Sequence, residues 1–82
     1  MALFHFPVDT GIYVDYPLHV SRPMDFSTMR VKLNNNCYEN EEEFRDDVVQ
    51  IYDNCVKYNG ELSIYGQMAK NFKMEFLETF RK

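Results

Sequence analysis

Apolar side chains recur at helical spacing in three stretches of this 82-residue chain, and a fourth stretch, at the start, has no spacing at all. The clearest period runs from Phe44 through Val48, Ile51 and Cys55 to Tyr58, in steps of four, three, four and three. That puts one apolar stripe on one helix face. Ahead of it Asn40 and Glu43 form an N-x-x-E pattern close to a capping box. Behind it stand Asn59 and Gly60, an amide and a turn glycine of the kind that end helices. The pattern predicts a helix over 40–58. A shorter helix is predicted over 26–35, where Asp25 is a good N-cap, Phe26, Met29 and Leu33 repeat at helical spacing, and Asn34, Asn35 and Asn36 end the run. A third is predicted over 64–82, capped by Ser63, with Ile64, Met68, Phe72, Phe76 and Phe80 at every fourth position. Gly66 stands in its first turn, costs about 1 kcal/mol relative to alanine there, and has no reason visible in the pattern. Met24, Met29, Met68 and Met74 read as core fillers.

Residues 1–25 are different. Pro7, Gly11, Pro17 and Pro23 break any sustained period. The segment is nevertheless rich in Phe, Tyr, Val, Leu and Ile, too apolar for a disordered tail. A packed loop lying over the helices is expected, with a short helical turn near 14–20. The chain is one domain with 59–63 as the link between its last two helices, and its class is all-α.

Composition sharpens this picture. Aromatic residues make up 16% of the chain, more than so small a core needs, so some rings are expected at a ligand site. The net charge is −4, and Glu39, Glu41, Glu42, Glu43, Asp46 and Asp47 are crowded together. The crowding reads as a solvated face near a helix N-terminus. An acidic domain does not track phosphates, so no direct nucleic-acid binding is expected, while a basic peptide suits it. No apolar run is long enough to span a membrane. Cys37 and Cys55 are expected as reduced thiols, and with His5 and His19 they match no zinc spacing, so no metal or other cofactor is expected. There is no nucleophile motif, phosphate loop or paired-carboxylate signature, and Cys55 on its helical stripe is expected to be buried; an enzyme is not expected.

A binding pocket fits better. A neutral amide offers donor and acceptor without needing a counter-charge. Asn59, with Tyr58 before it and Tyr65 one short loop later, could read a neutral polar group, although its bland role is to cap a helix end. A pocket walled by Phe4, Val8, Ile12, Tyr13 and Tyr65 would reject a bare ammonium, because desolvating an unpaired charge is costly. It would accept an amide, with weak affinity, about micromolar to millimolar.

With these residues in view, the chain resembles a bromodomain over nearly its whole length. Phe4-His5-Phe6-Pro7-Val8 resembles the shelf and the start of the long loop between helices Z and A. Asp15-Tyr16 with Pro23-Met24-Asp25-Phe26-Ser27-Thr28-Met29 resembles the P-D-Y…P-M-D-[LF]-x-T-[IM] signature. Asn54-Cys55-Val56-Lys57-Tyr58-Asn59 resembles the N-C-x-x-Y-N that ends helix B. The resemblance implies a left-handed helical bundle of helices A, B and C with a long ZA loop, here of the shorter kind. It implies a reader of acetylated lysine, with acetylated histone peptides as partners and a nuclear location. Residue by residue, Asn59 matches the amide that bonds the acetyl carbonyl, and Tyr16 the tyrosine that reaches the same oxygen through a water. Phe4 and Val8 match the shelf and pocket wall, Ile12 and Tyr13 the loop lining, Cys55 the small floor residue, Tyr58 the residue before the reading Asn, and Tyr65 the gatekeeper. Asp15 and Glu61 are expected to help hold basic residues of the tail.

The sequence also departs from the family. Ala2-Leu3-Phe4 stands where Trp-Pro-Phe is frequent, so a more open shelf is expected, and Val14 replaces the Pro before Asp-Tyr. The chain starts almost at the shelf, so helix Z is expected to be largely or wholly missing and the face it covers to invite self-association. The alternative is a helical interaction or scaffold domain whose acetyl-lysine pocket does not function.

Overall fold

The computed structural model describes residues 4–80. Among them are four helices and no strand: α1 (Tyr16–His19), α2 (Phe26–Asn34), α3 (Glu41–Asn59) and α4 (Ile64–Phe80). The chain is all-α, as its periodicity implies. The turn expected near 14–20 is α1. The last two residues of the third predicted helix, Arg81 and Lys82, lie outside the described residues, as do Ala2 and Leu3 of the expected shelf.

α3 is the axis against which the other helices pack, α4 most extensively. Its Val48, Ile51, Tyr52 and Cys55 join Met29 of α2 and Ala69 of α4 in one buried cluster. The starts of α2, α3 and α4 are held by side chains the pattern singled out, Asp25, Asn40 and Ser63. The Asp25 carboxylate accepts from the Thr28 amide at 2.9 Å, the Thr28 hydroxyl at 2.6 Å and the Ser27 hydroxyl. The next donors of α2 meet the loop: the Phe26 and Ser27 amides donate to the carbonyls of Phe4 and His5, both at 2.9 Å. The orphan N–H groups of a helix start thereby pin the first described residues in place. At the other end of α2, Asn36 has φ 57°, and Cys37 and Asn36 donate back to Lys32 and Leu33. This is a Schellman motif with asparagine in the left-handed position. Asn40 accepts from the Glu43 amide at 2.9 Å, but Glu43 reaches back to the amide of Glu39, one residue further than in a capping box.

Four expectations about packing are corrected. Leu33 is 56% exposed, because α2 meets α3 through Met29 and its last turn runs out into solvent. On α4 the buried residues are Gly66 and Ala69, whereas Ile64 is 82% exposed and Phe72 is also exposed. A step of four residues overshoots one helical turn, so a strict every-fourth row winds round the helix and cannot keep facing one neighbour. Met74 is exposed for a related reason: it lies five residues beyond buried Ala69, about 140° round the helix. Finally, Asp47 is not part of the solvated acidic face. It is buried, accepts from Lys32 Nζ at 2.6 Å and from the Tyr38 hydroxyl at 2.7 Å, and so ties α2 and the following loop to α3. Burial, then the bond and charge of Asp47, push the Tyr38 phenol well above its ordinary range.

Gly66 acquires a reason. A Cβ there would lie 2.0 Å from the Gly60 carbonyl oxygen, so only glycine lets the link between α3 and α4 settle onto the first turn of α4. Ser63 closes the same turn, donating to the Gly60 carbonyl at 2.8 Å and accepting from the Gly66 amide at 2.9 Å.

Candidate functional site

One cavity of about 370 Å³ opens where the leading loop, the end of α3 and the start of α4 converge. Of the residues expected at a site, Phe4, Val8, Tyr13, Tyr16, Cys55, Tyr58, Asn59 and Tyr65 line it. Ile12 does not, and is 71% exposed. The loop's own chemistry explains the difference. The Asp9 carboxylate accepts from the Gly11 amide, and the Asp9 carbonyl accepts from the amides of Ile12 and Tyr13. In so tight a turn neighbouring side chains diverge, and Tyr13 takes the inward direction.

Phe6, Pro7, Asp9, Met24 and Ile51 also line the cavity and were not singled out from the sequence. Ile51 was legible, lying one helical turn before Cys55 on the same stripe. Phe6, Pro7 and Asp9 flank residues already chosen. Met24 stood in the sequence as a core filler within the P-M-D signature, and its place on the lining depends on how the loop returns to α2.

The wall is built by aromatic packing. Phe4 stands edge-on to Tyr52, with ring centroids 5.2 Å apart, and edge-on to Phe72 at 6.2 Å. The Tyr58 ring meets Tyr16 at 4.9 Å, His19 at 5.8 Å and Tyr13 at 6.4 Å. Tyr16 is buried, and burial pushes its phenol up, so it is a neutral donor and acceptor at physiological pH. No described group bonds its hydroxyl. Burial likewise raises the Cys55 thiol, although the bond from Asn59 opposes this, which disfavours the nucleophilic thiolate.

Asn59 is the one amide on the lining. It is the last residue of α3, but Gly60, at φ 98°, makes the helix-ending turn and donates to the Val56 carbonyl at 2.8 Å. Asn59 therefore does not perform the capping role that was its bland interpretation. Its Nδ2 donates to the Cys55 carbonyl at 3.0 Å and approaches the Cys55 sulfur at 3.5 Å. A carbonyl only accepts, so this contact fixes which end of the amide is nitrogen. No described group donates to its Oδ1. Oδ1 is accessible on an oriented side chain beside a largely apolar cavity.

Asn54, quoted from the sequence as the first residue of the N-C-x-x-Y-N motif, does not line the cavity and has a structural part that the motif did not reveal. It is buried, donates to the Arg22 carbonyl at 2.8 Å and accepts from Gln50 at 2.6 Å. It straps the returning loop to α3 one turn before Asn59. The two carboxylates expected to hold basic neighbours of a ligand have partners within the chain. Glu61 pairs with Lys70 at 2.8 Å, which holds its carboxyl below the usual range, and Asp15 accepts from the Tyr58 hydroxyl at 2.5 Å.

Comparison with known proteins places this geometry. The bromodomain family model matches residues 1–71. Bromodomain adjacent to zinc finger domain protein 2B of Mus musculus is 39% identical over 82 residues, covering 95% of this chain and 4% of that protein. Bromodomain and PHD finger-containing protein 3 of Homo sapiens is 43% identical over 67 residues, covering 82% of this chain and 6% of that protein. A crystal structure of the Trypanosoma cruzi bromodomain BDF2 superposes with a TM-score of 0.88 at 27% identity, covering 95% of this chain and 69% of that one. The chain thus spans only a small part of the curated relatives it matches.

Proposed function

The chain belongs to the bromodomain family of acetyl-lysine-reading modules, and from that premise we propose that its cavity takes the acetylated lysine of a histone tail in the nucleus. Acetylation removes the ammonium charge and leaves a secondary amide. The observation that carries the proposal is Asn59, held by the Cys55 carbonyl beside a largely apolar cavity. The Nδ2 hydrogen not held by the Cys55 carbonyl gives up its long contact with the Cys55 sulfur and donates to the acetyl carbonyl. The Tyr16 hydroxyl reaches the same carbonyl through a water, a bridge nearly as favourable as a direct bond. The methyl group and the lysine methylenes lie against Val8, Phe4 and Tyr65. The one carboxylate on the lining, Asp9, already accepts from the Gly11 amide within its own turn, and an unmodified ammonium would lose its hydration on entry. Binding is the whole activity proposed, with no bond made or broken.

The same description predicts the effect of one substitution. Asn59→Ala removes the contact to the acetyl carbonyl and should weaken binding of an acetylated histone peptide by about tenfold. It should leave the helical content and unfolding midpoint near those of the parent, since Gly60 and not Asn59 ends α3. Titration calorimetry and circular dichroism on the same samples read the two effects. Undiminished affinity in a folded Asn59→Ala variant would remove the basis of the proposal.

A further inference from the structure

The two residues proposed to meet the acetyl group come from different elements, Tyr16 from α1 and Asn59 from the end of α3. Each has a neighbour in sequence that joins it to the other. Asp15 precedes Tyr16, Tyr58 precedes Asn59, and the Tyr58 hydroxyl donates to Asp15 Oδ1 at 2.5 Å. We propose that Asp15 is a positioning residue of this cavity: through its bond to Tyr58 it sets the separation between Tyr16 and Asn59. The inference rests on the acetyl-lysine role proposed above and deepens it.

Three observations carry it. First, Asp15 stands at the N-cap of α1, where an aspartate ordinarily turns its carboxylate back onto its own helix. Here it makes no such bond; the Leu18 amide goes to the Asp15 carbonyl instead. The carboxylate is directed outward, to α3. Second, the bond spans 43 positions of sequence, and it is the one side-chain hydrogen bond between residue 15 or α1 and α3 among the described residues. Third, Tyr58 is the hub of the aromatic wall, meeting Tyr13, Tyr16 and His19 edge-on. His19 Nε2, one turn on from Asp15, lies 3.8 Å from the other carboxylate oxygen. The Tyr58 phenol is correspondingly pushed up to about 12, chiefly by its bond to Asp15.

The test is a double-mutant cycle on the full chain with an acetylated histone peptide. Asp15→Ala and Tyr58→Phe each remove the bond while keeping every group proposed to touch the acetyl amide. Each should weaken binding by about fivefold to twentyfold, the scale of one hydrogen bond to a charged group. The double variant should bind no more weakly than either single one, the mark of two groups acting as a unit. Asp15→Asn keeps an acceptor and should recover most of the affinity. Ultraviolet titration of the phenols should show one tyrosine ionising near pH 12 in the parent and returning toward the ordinary tyrosine range, about 10, in Asp15→Ala. A merely structural role would lower the unfolding midpoint without a non-additive cycle in affinity. If the parent binds and the single variants keep its affinity, or their losses add, the positioning role is refuted alone. If the parent binds acetylated and unmodified peptides equally, acetyl-lysine recognition is refuted and the positioning role goes with it.

Discussion

Asn59 can serve a ligand because another residue has taken over its local duty. Gly60 adopts the left-handed turn at φ 98° that ends α3, and so releases the amide beside it. The link that follows is as tightly specified, by Gly66 under the Gly60 carbonyl and by Ser63 between them. Gly66→Ala should therefore cost more than its intrinsic helix preference for alanine returns. A Cβ placed 2.0 Å from a backbone oxygen has no flexible neighbour to displace. Overpacking of this kind costs about 1–3 kcal/mol. Chemical denaturation should show that loss. A variant as stable as the parent would mean that the link moves freely, and that Asn59 and Tyr65 are not held by it. At this scale the sequence was a good guide to type and a poor one to reason. Asn59, Tyr16 and Tyr65 stood out as chemistry, whereas Gly66 and Asn54 are explained by carbonyls that no pattern locates.

At the scale of elements, caps and hydrophobic period located the helices, and the bonds around Asp25 show why. Burial alone would raise the Asp25 carboxyl. The hydroxyls of Ser27 and Thr28 and the amides behind them outweigh burial and hold it below its ordinary value. A carboxylate depressed in the folded chain contributes stability that is present in full above the unfolded value, about 3.9. That contribution is lost as pH falls through the folded value. Asp25→Asn, which does not titrate, should be less stable than the parent by about 1 kcal/mol near neutrality. The gap should close below about pH 4, where the parent loses the same charge. Melting curves across that range decide it; a gap constant with pH would assign the difference to packing instead. The period was less informative about which neighbour a helix face meets. It identified the α3 stripe, which has helices on several sides, and misjudged α4, where a row of every fourth residue winds away from the only face that α3 covers.

Across the whole molecule, the fold is a scaffold that brings one loop and two helix ends to a single cavity. The irregular leader, expected as packed from its apolar content, packs only in part: Tyr16 and Val20 are buried and Phe4 and Met24 half-buried, while Phe6, Ile12, Val14 and Leu18 are exposed, and its path was not legible. That path depends on bonds between distant residues: Phe26 and Ser27 to Phe4 and His5, Asn54 to Arg22, and Tyr58 to Asp15. Those contacts carry the loop across the cavity, and the Asp9 turn within it puts Tyr13 on the lining and Ile12 off it. The central claim is that the cavity distinguishes a lysine amide from a lysine cation. The most direct measurement is calorimetry of the unaltered chain with one histone peptide prepared in two forms, acetylated and unmodified at a single lysine. Micromolar-to-millimolar binding of the acetylated form with none measurable for the other is the predicted result; equal binding of the two, or tighter binding of the charged form, would contradict it.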